Sequence, residues 1–413
     1  MARPSPPGYE HANAPSRALV DIEQIETLTP ETPVGINFFR SEKTPPHELQ
    51  VMLYQLGEPI SLSRRVPVLE NLGFSVISEQ TFEIAVKKGG EKQTVFLHQL
   101  LLNTDDRKPI DLPIHQKRLE DCFLAIWRGD AGNDQFNKLI VEAGLSWREA
   151  ALMRAYSSYL RQVARRWSES YLAQTFALHG GIVRDLVRLF HVLFDPAGGM
   201  STDERRAAAD EIAAGIESAL DKVTSLDEDR MIRRILNLIQ STIRTNFYQT
   251  PTELAAGASI AFKIKSAHVD GMPAPKPFAE MFVSSPRFEG VHLRSGPIAR
   301  GGLRWSDRPQ DFRTEVLGLV KAQQVKNAII VPQGSKGGFV PRNIAKDASR
   351  DEMLAEGVAC YRRFIANLLS LTDNLKDGVI IPPGETVRLD PDDPYLSSPP
   401  TRVRPPSPTS PIR

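Results

Sequence analysis

Residues 300–339 read RGGLRWSDRPQDFRTEVLGLVKAQQVKNAIIVPQGSKGGF, and they contain two glycine-rich runs separated by a helical pattern and a short apolar run. A glycine pair follows Arg300 at its start, and three glycines surround Lys336 at its end. Between them, apolar residues recur at helical spacing from Phe312 onwards, and the apolar run 328–332 is typical of a short buried strand. We therefore predict a helix and a strand between two glycine-rich loops, as part of an α/β domain.

The same region is strongly basic. Ten lysines and arginines stand against four acids between residues 300 and 350, a surplus of +6 in a chain whose formal net charge is +1. A solvated basic face would explain this surplus, and so would a pocket for a small dianion. Three local features favour the pocket.

The first feature is the glycine pair. Gly301 and Gly302 lack side chains, so the backbone beside the Arg300 guanidinium can come close to a ligand. The second is the helix that follows. Its inward stripe starts with Phe312, Val316 and Leu319 and then continues as Gln323 and Lys326. A buried amide and ammonium need partners, and an anionic ligand would supply them.

The third feature is Lys336. It lies in the run QGSKGG, residues 333–338, which permits a tight turn directly after the short apolar run. Ends of strands are where α/β proteins place ligands. A lysine enclosed beside other cations is pushed towards its neutral form, which can take up and return protons in a carbonyl–amine interconversion. The run has the composition of a phosphate loop but not the Walker spacing.

Residues 31–112 show a different pattern. The alternating runs GINFFR, LQVMLYQLG, LGFSVISEQ, FEIAVKK and QTVFLHQLLL predict strands, and SLSRRVPVLENLG, residues 61–73, predicts a helix closed by a glycine. Together they indicate a small α+β module with an antiparallel sheet.

Residues 113–250 carry apolar residues at three- and four-residue steps and are predicted to be helical, through the end of DEDRMIRRILNLIQSTIRTNF. In residues 251–396, strands return in ASIAFKIKS, FAEMFVSS and EGVHLRSG. A long helix is predicted from about Ala348 to Asp373. The apolar residues of its inner face would be Met353, Leu354, Val358, Tyr361, Ile365, Leu368 and Leu371.

Composition predicts disorder at both ends of the chain and argues against disulfide bonds and a metal site. Residues 1–30 and 397–413 are rich in proline and serine, and we expect them to be disordered. Cys122 and Cys360 make no disulfide framework, and Cys360, inside an apolar helical pattern, is expected to be a buried thiol. His179 and His191 have no companion ligands at metal spacing, so we expect no metal site.

The near-neutral charge and the lack of interleaved aromatic residues argue against a nucleic-acid partner. The sequence contains neither an apolar stretch of about 20 residues nor the apolar core of a signal peptide. We therefore expect no membrane partner and a cytoplasmic location.

Residues 297–340, PIARGGLRWSDRPQDFRTEVLGLVKAQQVKNAIIVPQGSKGGFV, resemble the core of the glutamate dehydrogenases. The shared features are a cation before Gly-Gly, a helix ending in Lys-Asn, a strand, and then Lys-Gly-Gly. The Arg-Trp-Ser-Asp and Asp-Phe-Arg-Thr-Glu segments are similar to the large bacterial NAD-specific class. The resemblance extends over about residues 33–396.

The resemblance implies a role for each part of the chain. Residues 31–112 would be an ACT-like regulatory module, 113–250 the family's helical region, and 251–396 the substrate-binding domain. The implied reaction is the NAD-dependent oxidative deamination of L-glutamate to 2-oxoglutarate and ammonium. The resemblance also implies that the full-length parent enzyme is a homo-oligomer.

It also implies roles for the site residues. Arg300, with Gly301 and Gly302 beside it, would meet the side-chain carboxylate of the substrate. Gln323 and Lys326 would hold the α-carboxylate. Lys336 would be the catalytic lysine, which activates water and handles the proton at the α-carbon.

The sequence departs from the family in two ways. It contains no G-x-G-x-x-G, and the aspartate expected soon after DDPYL is replaced by the tail 397–413. GC-rich codons for the family's Val-Val-Ala-Ala-Asp-Lys-Gly-Thr, read one base later, give Ser-Ser-Pro-Pro-Thr-Arg-Val-Arg, which is how the tail begins. We therefore expect a frameshift after Leu396.

The fold class expected overall is multidomain, α/β and α+β, with the Rossmann nucleotide domain missing. NAD would then belong to the full-length parent, and the chain would be a truncated, inactive fragment. The alternative is a non-catalytic regulatory protein that binds an amino acid or 2-oxoglutarate; binding without turnover would favour it.

Overall fold

The computed structural model describes residues 8–41, 44–88, 90–250, 259–326, 333–345 and 347–394, with only the backbone described for 88 and 323–326. The chain forms two compact units, Met1–Ala150 and Ala151–Arg413. Two predictions lie outside the described residues, the strand at 328–332 and the disordered tail at 397–413.

The first unit is built on a four-stranded sheet. Its helices are α1 (Tyr9–Ala12), α2 (Pro15–Thr27), α3 (Leu62–Asn71), α4 (Leu112–Arg128) and α5 (Leu139–Glu142). Its strands are β1 (Val34–Phe39), β2 (Glu48–Leu56), β3 (Phe74–Lys88) and β4 (Glu91–Thr104). The strand order is β1-β2-β4-β3, and every pairing is antiparallel, which confirms the predicted α+β pattern. The runs LGFSVISEQ and FEIAVKK form one strand, β3, with an irregularity at Val76/Ser78, and not two.

Both faces of this sheet are covered. One face packs against α3 and α4 around Phe38, Leu53 and Leu100. The other packs against α1 and α2, with Tyr9 and Ile25 in its core.

The prediction that residues 1–30 are disordered is wrong from residue 9 onwards. Proline suits the first position of a helix, and Pro15 begins α2. The buried Ile25 and Leu28 then attach the segment to the sheet. The Tyr54 hydroxyl also donates to the buried Asp21 carboxylate, at 2.5 Å. A proline-rich composition therefore concealed an apolar helix face.

The second unit contains a mixed sheet flanked by helices. Its helices are α6 (Trp147–Val163, from Ala151 on), α7 (Glu169–Leu178), α8 (Gly180–Phe194), α9 (Thr202–Leu220), α10 (Leu226–Ser241), α11 (Phe312–Lys326) and α12 (Arg350–Leu369). Its strands are β5 (Thr242–Thr245), β6 (Ile260–Ile264), β7 (Ala279–Ser284), β8 (Phe288–Arg294), β9 (Ala299–Arg300), β10 (Leu303–Trp305), β11 (Gln333–Pro341), β12 (Asn374–Lys376) and β13 (Val379–Ile381). The main sheet has the order β10-β11-β8-β7-β6-β5, with β9 also paired to β11, and β12-β13 form a separate hairpin.

The predicted helix through residue 247 ends earlier than expected. α10 stops at Ser241, and Thr242 begins β5, which pairs with β6. Thr242 and Ile243 are β-branched, and such residues fit a pleated sheet better than a helix. Helical spacing of apolar residues continued across this change and hid it.

α12 covers one face of the main sheet, and most of its predicted inner face is confirmed: Leu368 and Leu371 are buried there, and Met353, Tyr361 and Ile365 pack against the same core. The residues buried in the helix are Gly357, Cys360, Phe364, Asn367 and Leu368, whereas Leu354 is 36% exposed. A Cβ atom on Gly357 would lie 2.2 Å from the Trp305 ring, so the helix turns its smallest residue towards this indole. The predicted burial of the Cys360 thiol is confirmed.

The other face of the main sheet packs against α6 and α11. Tyr156 of α6 stacks on Phe262, with ring centroids 4.2 Å apart, and Val316 of α11 lies against Gly338. Within the described residues, no helix is both long and apolar enough to cross a membrane.

Candidate functional site

The glycine-rich run around Lys336 is a strand and not the loop that was predicted. It forms β11, between β8 on one side and β9 and β10 on the other. Its glycines allow neighbours to pack against it. A Cβ on Gly337 would lie 2.3 Å from Leu303 Cδ2, and one on Gly338 would lie 2.7 Å from Val316 Cγ2. Lys336 therefore projects from the middle of a sheet strand.

The Gly301–Gly302 pair lies beside Lys336. Arg300 is opposite Gly334 and Leu303 is opposite Gly337, so this constant register places Gly301 beside Ser335 and Gly302 beside Lys336. A Cβ on Gly301 would lie 1.5 Å from the Ser335 carbonyl oxygen. The close approach that needs glycine at 301 is therefore an approach to β11, whereas we had expected an approach to a ligand.

Arg300 and Lys336 project from the same face of the sheet. Gly334 is opposite Arg300, and side chains two residues apart on a strand share a face. Arg300 is exposed and Lys336 is half-buried. Neither side chain forms a hydrogen bond or an ion pair with the described part of the chain, so both cations can accept an anionic ligand.

α11 lies on this same face, because its Val316 meets Gly338, two residues after Lys336. Phe312 and Val316 are buried as predicted, while Leu319 is half-buried. Gln323 and Lys326 lie at the end of the helix, where only the backbone is described. That their side chains reach a ligand remains a prediction.

A buried ion pair that we did not predict anchors the start of α11. Arg313, 1% exposed, forks onto Glu280 of β7 with both its Nε (2.8 Å) and Nη2 nitrogens. The Tyr159 hydroxyl donates to the same carboxylate at 2.9 Å. Burial opposes the charged form of Arg313, yet the Glu280 carboxylate raises the pKa of the guanidinium above its usual value.

This anchor lies in the same row of side chains as Lys336. Glu280 is opposite Leu293, and Leu293 is opposite Lys336. α6 also holds the start of α11, because Gln162 Oε1 accepts from the Arg313 backbone N–H at 3.2 Å. A signal was present in the sequence, since Glu280 is the one charged residue in the apolar strand AEMFVS.

The opposite face of the sheet carries three buried cations, Lys263, Arg244 and Arg294. Asp393 accepts from Lys263 Nζ at 2.6 Å and from Arg294 Nη1 at 2.6 Å. Arg244 pairs with Asp373 at 3.0 Å and Asp390 at 2.5 Å. Burial would raise the pKa of Asp393, but the two cations beside it lower the pKa below its usual value. These charges fasten the segment around Asp393 to the sheet.

His292 is buried on that same opposite face, across from Gly337. Neither of its ring nitrogens has a hydrogen-bond partner within the described residues. Burial, and then the positive charge of Arg294, lower the pKa of His292 to about 3, with Asp393 opposing them. The ring is therefore neutral at physiological pH. In the described ranges, no group of three His, Cys, Asp or Glu residues is arranged to hold a metal ion.

Three family models match the chain in succession. They are the glutamate dehydrogenase ACT3 domain at residues 33–113, the glutamate dehydrogenase helical motif 3 at 131–196, and the catalytic domain of bacterial NAD-glutamate dehydrogenase at 215–399. In the structure these matches fall, in order, on the α+β module, on helices and on the region of the mixed sheet. The last match contains Arg300, Lys336 and α11.

Similar proteins named NAD-specific glutamate dehydrogenase occur in several bacteria. The chain is 44% identical to that of Pseudomonas aeruginosa over 391 residues, 43% identical to that of Halomonas elongata over 395, and 41% identical to that of Mycobacterium tuberculosis over 401. These alignments cover 94–95% of the chain, which spans about a quarter, 24%, of the length of each relative. The chain belongs to the bacterial NAD-glutamate dehydrogenase family.

Proposed function

We propose that the chain provides the substrate site of an enzyme that oxidatively deaminates L-glutamate. The reaction converts L-glutamate, NAD⁺ and water into 2-oxoglutarate, ammonium, NADH and a proton. The observation that carries the proposal is the placement of Arg300 and Lys336. These two cations, which form no ion pair within the described residues, lie on neighbouring strands and on one face, beside α11. The names of the bacterial relatives support it.

In this proposal each cation has a separate task. The exposed Arg300 guanidinium binds the side-chain carboxylate of the substrate through two parallel N–H donors. Gly301 and Gly302 keep the backbone between the two cations free of side chains. Lys336 takes up the proton released when water attacks the α-carbon and returns it to the departing nitrogen. An amine that forms no ion pair within the described residues can do this.

The end of α11 completes the site in the proposal. Gln323 and Lys326 hold the α-carboxylate, which fixes the α-carbon beside Lys336. The buried Arg313–Glu280 pair keeps the start of α11 against the sheet. The helix can then hold these two residues in place without being rebuilt for each binding event.

NAD would accept the hydride in this reaction. The 413-residue sequence contains no G-x-G-x-x-G, so we assign none of its residues to the dinucleotide. The residues above therefore act on the substrate alone.

Calorimetric titration of the chain with 2-oxoglutarate and with 2-oxobutyrate tests the assignment. The second compound lacks the distal carboxylate. Arg300→Ala should weaken 2-oxoglutarate binding at least tenfold, to the level of 2-oxobutyrate, and leave 2-oxobutyrate unchanged. Lys326→Ala should weaken both ligands. The control is Arg362→Ala, which removes an exposed cation of α12. A folded wild-type chain that binds neither ligand, or an Arg300→Ala chain that binds both as the wild type does, would contradict the proposal.

A further inference from the structure

A cavity of about 630 Å³ lies in the first unit, between α2, β1 and the start of α4. This volume is in the range of sites that hold small molecules. Much of its wall is apolar, with Val20 from α2, Phe39 from β1 and Leu112 from α4. None of these residues belongs to the proposed substrate site.

The polar part of the wall is positively charged. Arg17 and Arg40 both line the cavity, and no acidic residue is among the lining residues that the structure describes. Arg17 is neutralised by Asp21, at 2.6 Å. Arg40 has no such partner in the described ranges. Its three nitrogens instead donate to backbone carbonyl oxygens at 2.9, 3.1 and 2.7 Å.

Those three hydrogen bonds hold the Arg40 guanidinium in place but do not use all of its N–H groups. A guanidinium carries five N–H groups, so two remain for a ligand. Most other polar side chains of the wall are already in use. The amides of Asn37 and Gln116 both donate to Glu120, at 3.0 and 3.1 Å, and the hydroxyls of Ser41 and Thr44 bond to each other at 2.6 Å. Of the buried polar side-chain atoms of the wall, only the Arg17 Nε lacks a hydrogen-bond partner within the described residues. Among the described residues of the wall, the immobile Arg40 is therefore the cation that no carboxylate neutralises, and it lies beside apolar side chains.

We propose that this cavity binds a small amphipathic carboxylate, with its anionic head on Arg40 and its apolar body against Val20, Phe39 and Leu112. Two N–H donors of one planar guanidinium match the two oxygens of a carboxylate. Since Arg17 and Val20 belong to α2, the bound ligand also adds contacts to that helix. Hydrogen exchange in residues 15–27 should slow when the site is filled.

The test compares three probes with one apolar body, titrated calorimetrically into the whole chain. They are 3-phenylpropanoate, 3-phenylpropanamide and 3-phenylpropylamine. The carboxylate should bind, the amide at least tenfold more weakly, and the amine not at all. Arg40→Met should abolish binding of the carboxylate. Lys92→Met removes the same charge from an exposed position of β4 and should leave binding unchanged.

Two more variants make the result decisive. Val20→Trp fills the cavity without touching Arg40, and it should also abolish binding while thermal unfolding shows a folded chain. Lys336→Ala should change nothing, because it lies in the other unit. The proposal is overturned if the folded wild type binds no probe, or if it binds carboxylate and amide equally. It is also overturned if Val20→Trp binds normally, or if Lys336→Ala loses the carboxylate.

Discussion

Gly301 lies so close to Ser335 that a Cβ atom on the glycine would stand 1.5 Å from the serine carbonyl oxygen. No movement of a flexible side chain can relieve this contact, because the atom it meets is backbone. The contact keeps the 299–305 segment and β11 in register, and that register places Arg300 and Lys336 on one face.

We expect Gly301→Ala to separate these strands. Overpacking of this kind costs about 1–3 kcal/mol in unfolding free energy. Hydrogen exchange of residues 333–341 should accelerate, and 2-oxoglutarate should bind at least tenfold more weakly. Gly181→Ala is the control, since a Cβ on Gly181 would lie more than 4 Å from every described atom outside its own helix and chain neighbours. Hydrogen exchange of residues 333–341 at the wild-type rate in Gly301→Ala would show that the 299–305 segment can shift without weakening its pairing to β11.

Two helical glycines should respond to alanine with opposite signs. Gly318 in α11 faces open space, so Gly318→Ala should stabilise the chain by about 0.5–1 kcal/mol through helix propensity. Gly357 in α12 faces the Trp305 ring at 2.2 Å, so Gly357→Ala should destabilise it by about 1–3 kcal/mol. Urea unfolding measures both changes.

The double variant Gly357→Ala/Trp305→Leu checks the cause. If the clash with the indole is responsible, alanine at 357 should cost less in the Trp305→Leu background than in the wild type. An equal cost in both backgrounds would point to another neighbour.

The sequence alone predicted the elements whose signals are local. The antiparallel sheet of the first unit, the helix at 62–71 and the strands β6 to β8 all followed from apolar spacing and turn residues. The prediction of a loop at 333–338 was wrong for a physical reason. Glycine is favoured both where a chain turns and where neighbours press against a strand, and only the tertiary contacts of Gly337 and Gly338 separate the two cases.

The candidate site was predicted unevenly for the same reason. A glycine pair and a lysine indicated Arg300 and Lys336, and the structure places both on one face. The pairing of Arg313 with Glu280 depends on which strand lies under which helix, and no local pattern contains that information.

Replacing one partner of the Arg313–Glu280 pair should lower the unfolding free energy more than replacing both partners. Arg313→Met leaves the Glu280 carboxylate buried and unpaired and should destabilise the second unit by about 3–5 kcal/mol. Arg313→Met/Glu280→Leu should recover most of the loss, because neither residue of the pair then leaves a buried charge unpaired. Urea unfolding gives the free energies, and hydrogen exchange of residues 312–326 reports on α11. A double variant as unstable as the single one would contradict this account.

His292 should make the second unit acid-sensitive. The pKa of its imidazole is about 3 in the folded chain and about 6.5 when unfolded. Above pH 6.5 neither state binds a proton there, so the full stability is present. As the pH falls from 6.5 towards 3, the imidazole binds a proton in the unfolded chain but not in the folded chain, and stability is lost. We expect a loss of about 2 kcal/mol from this residue between pH 6.5 and 4.5.

His292→Leu isolates this contribution, because leucine does not titrate in the same apolar site. Over that pH range the variant should lose about 2 kcal/mol less than the wild type in urea unfolding followed at each pH. His98 of the first unit, whose pKa burial lowers to about 4, acts in the same direction but is present in both proteins. The pKa of Asp393 is also lowered, so its carboxylate stays charged beside Arg294 for most of this range. If both proteins lose the same stability over this pH range, the His292 imidazole takes up a proton in the folded chain as readily as in the unfolded chain, which would contradict this account.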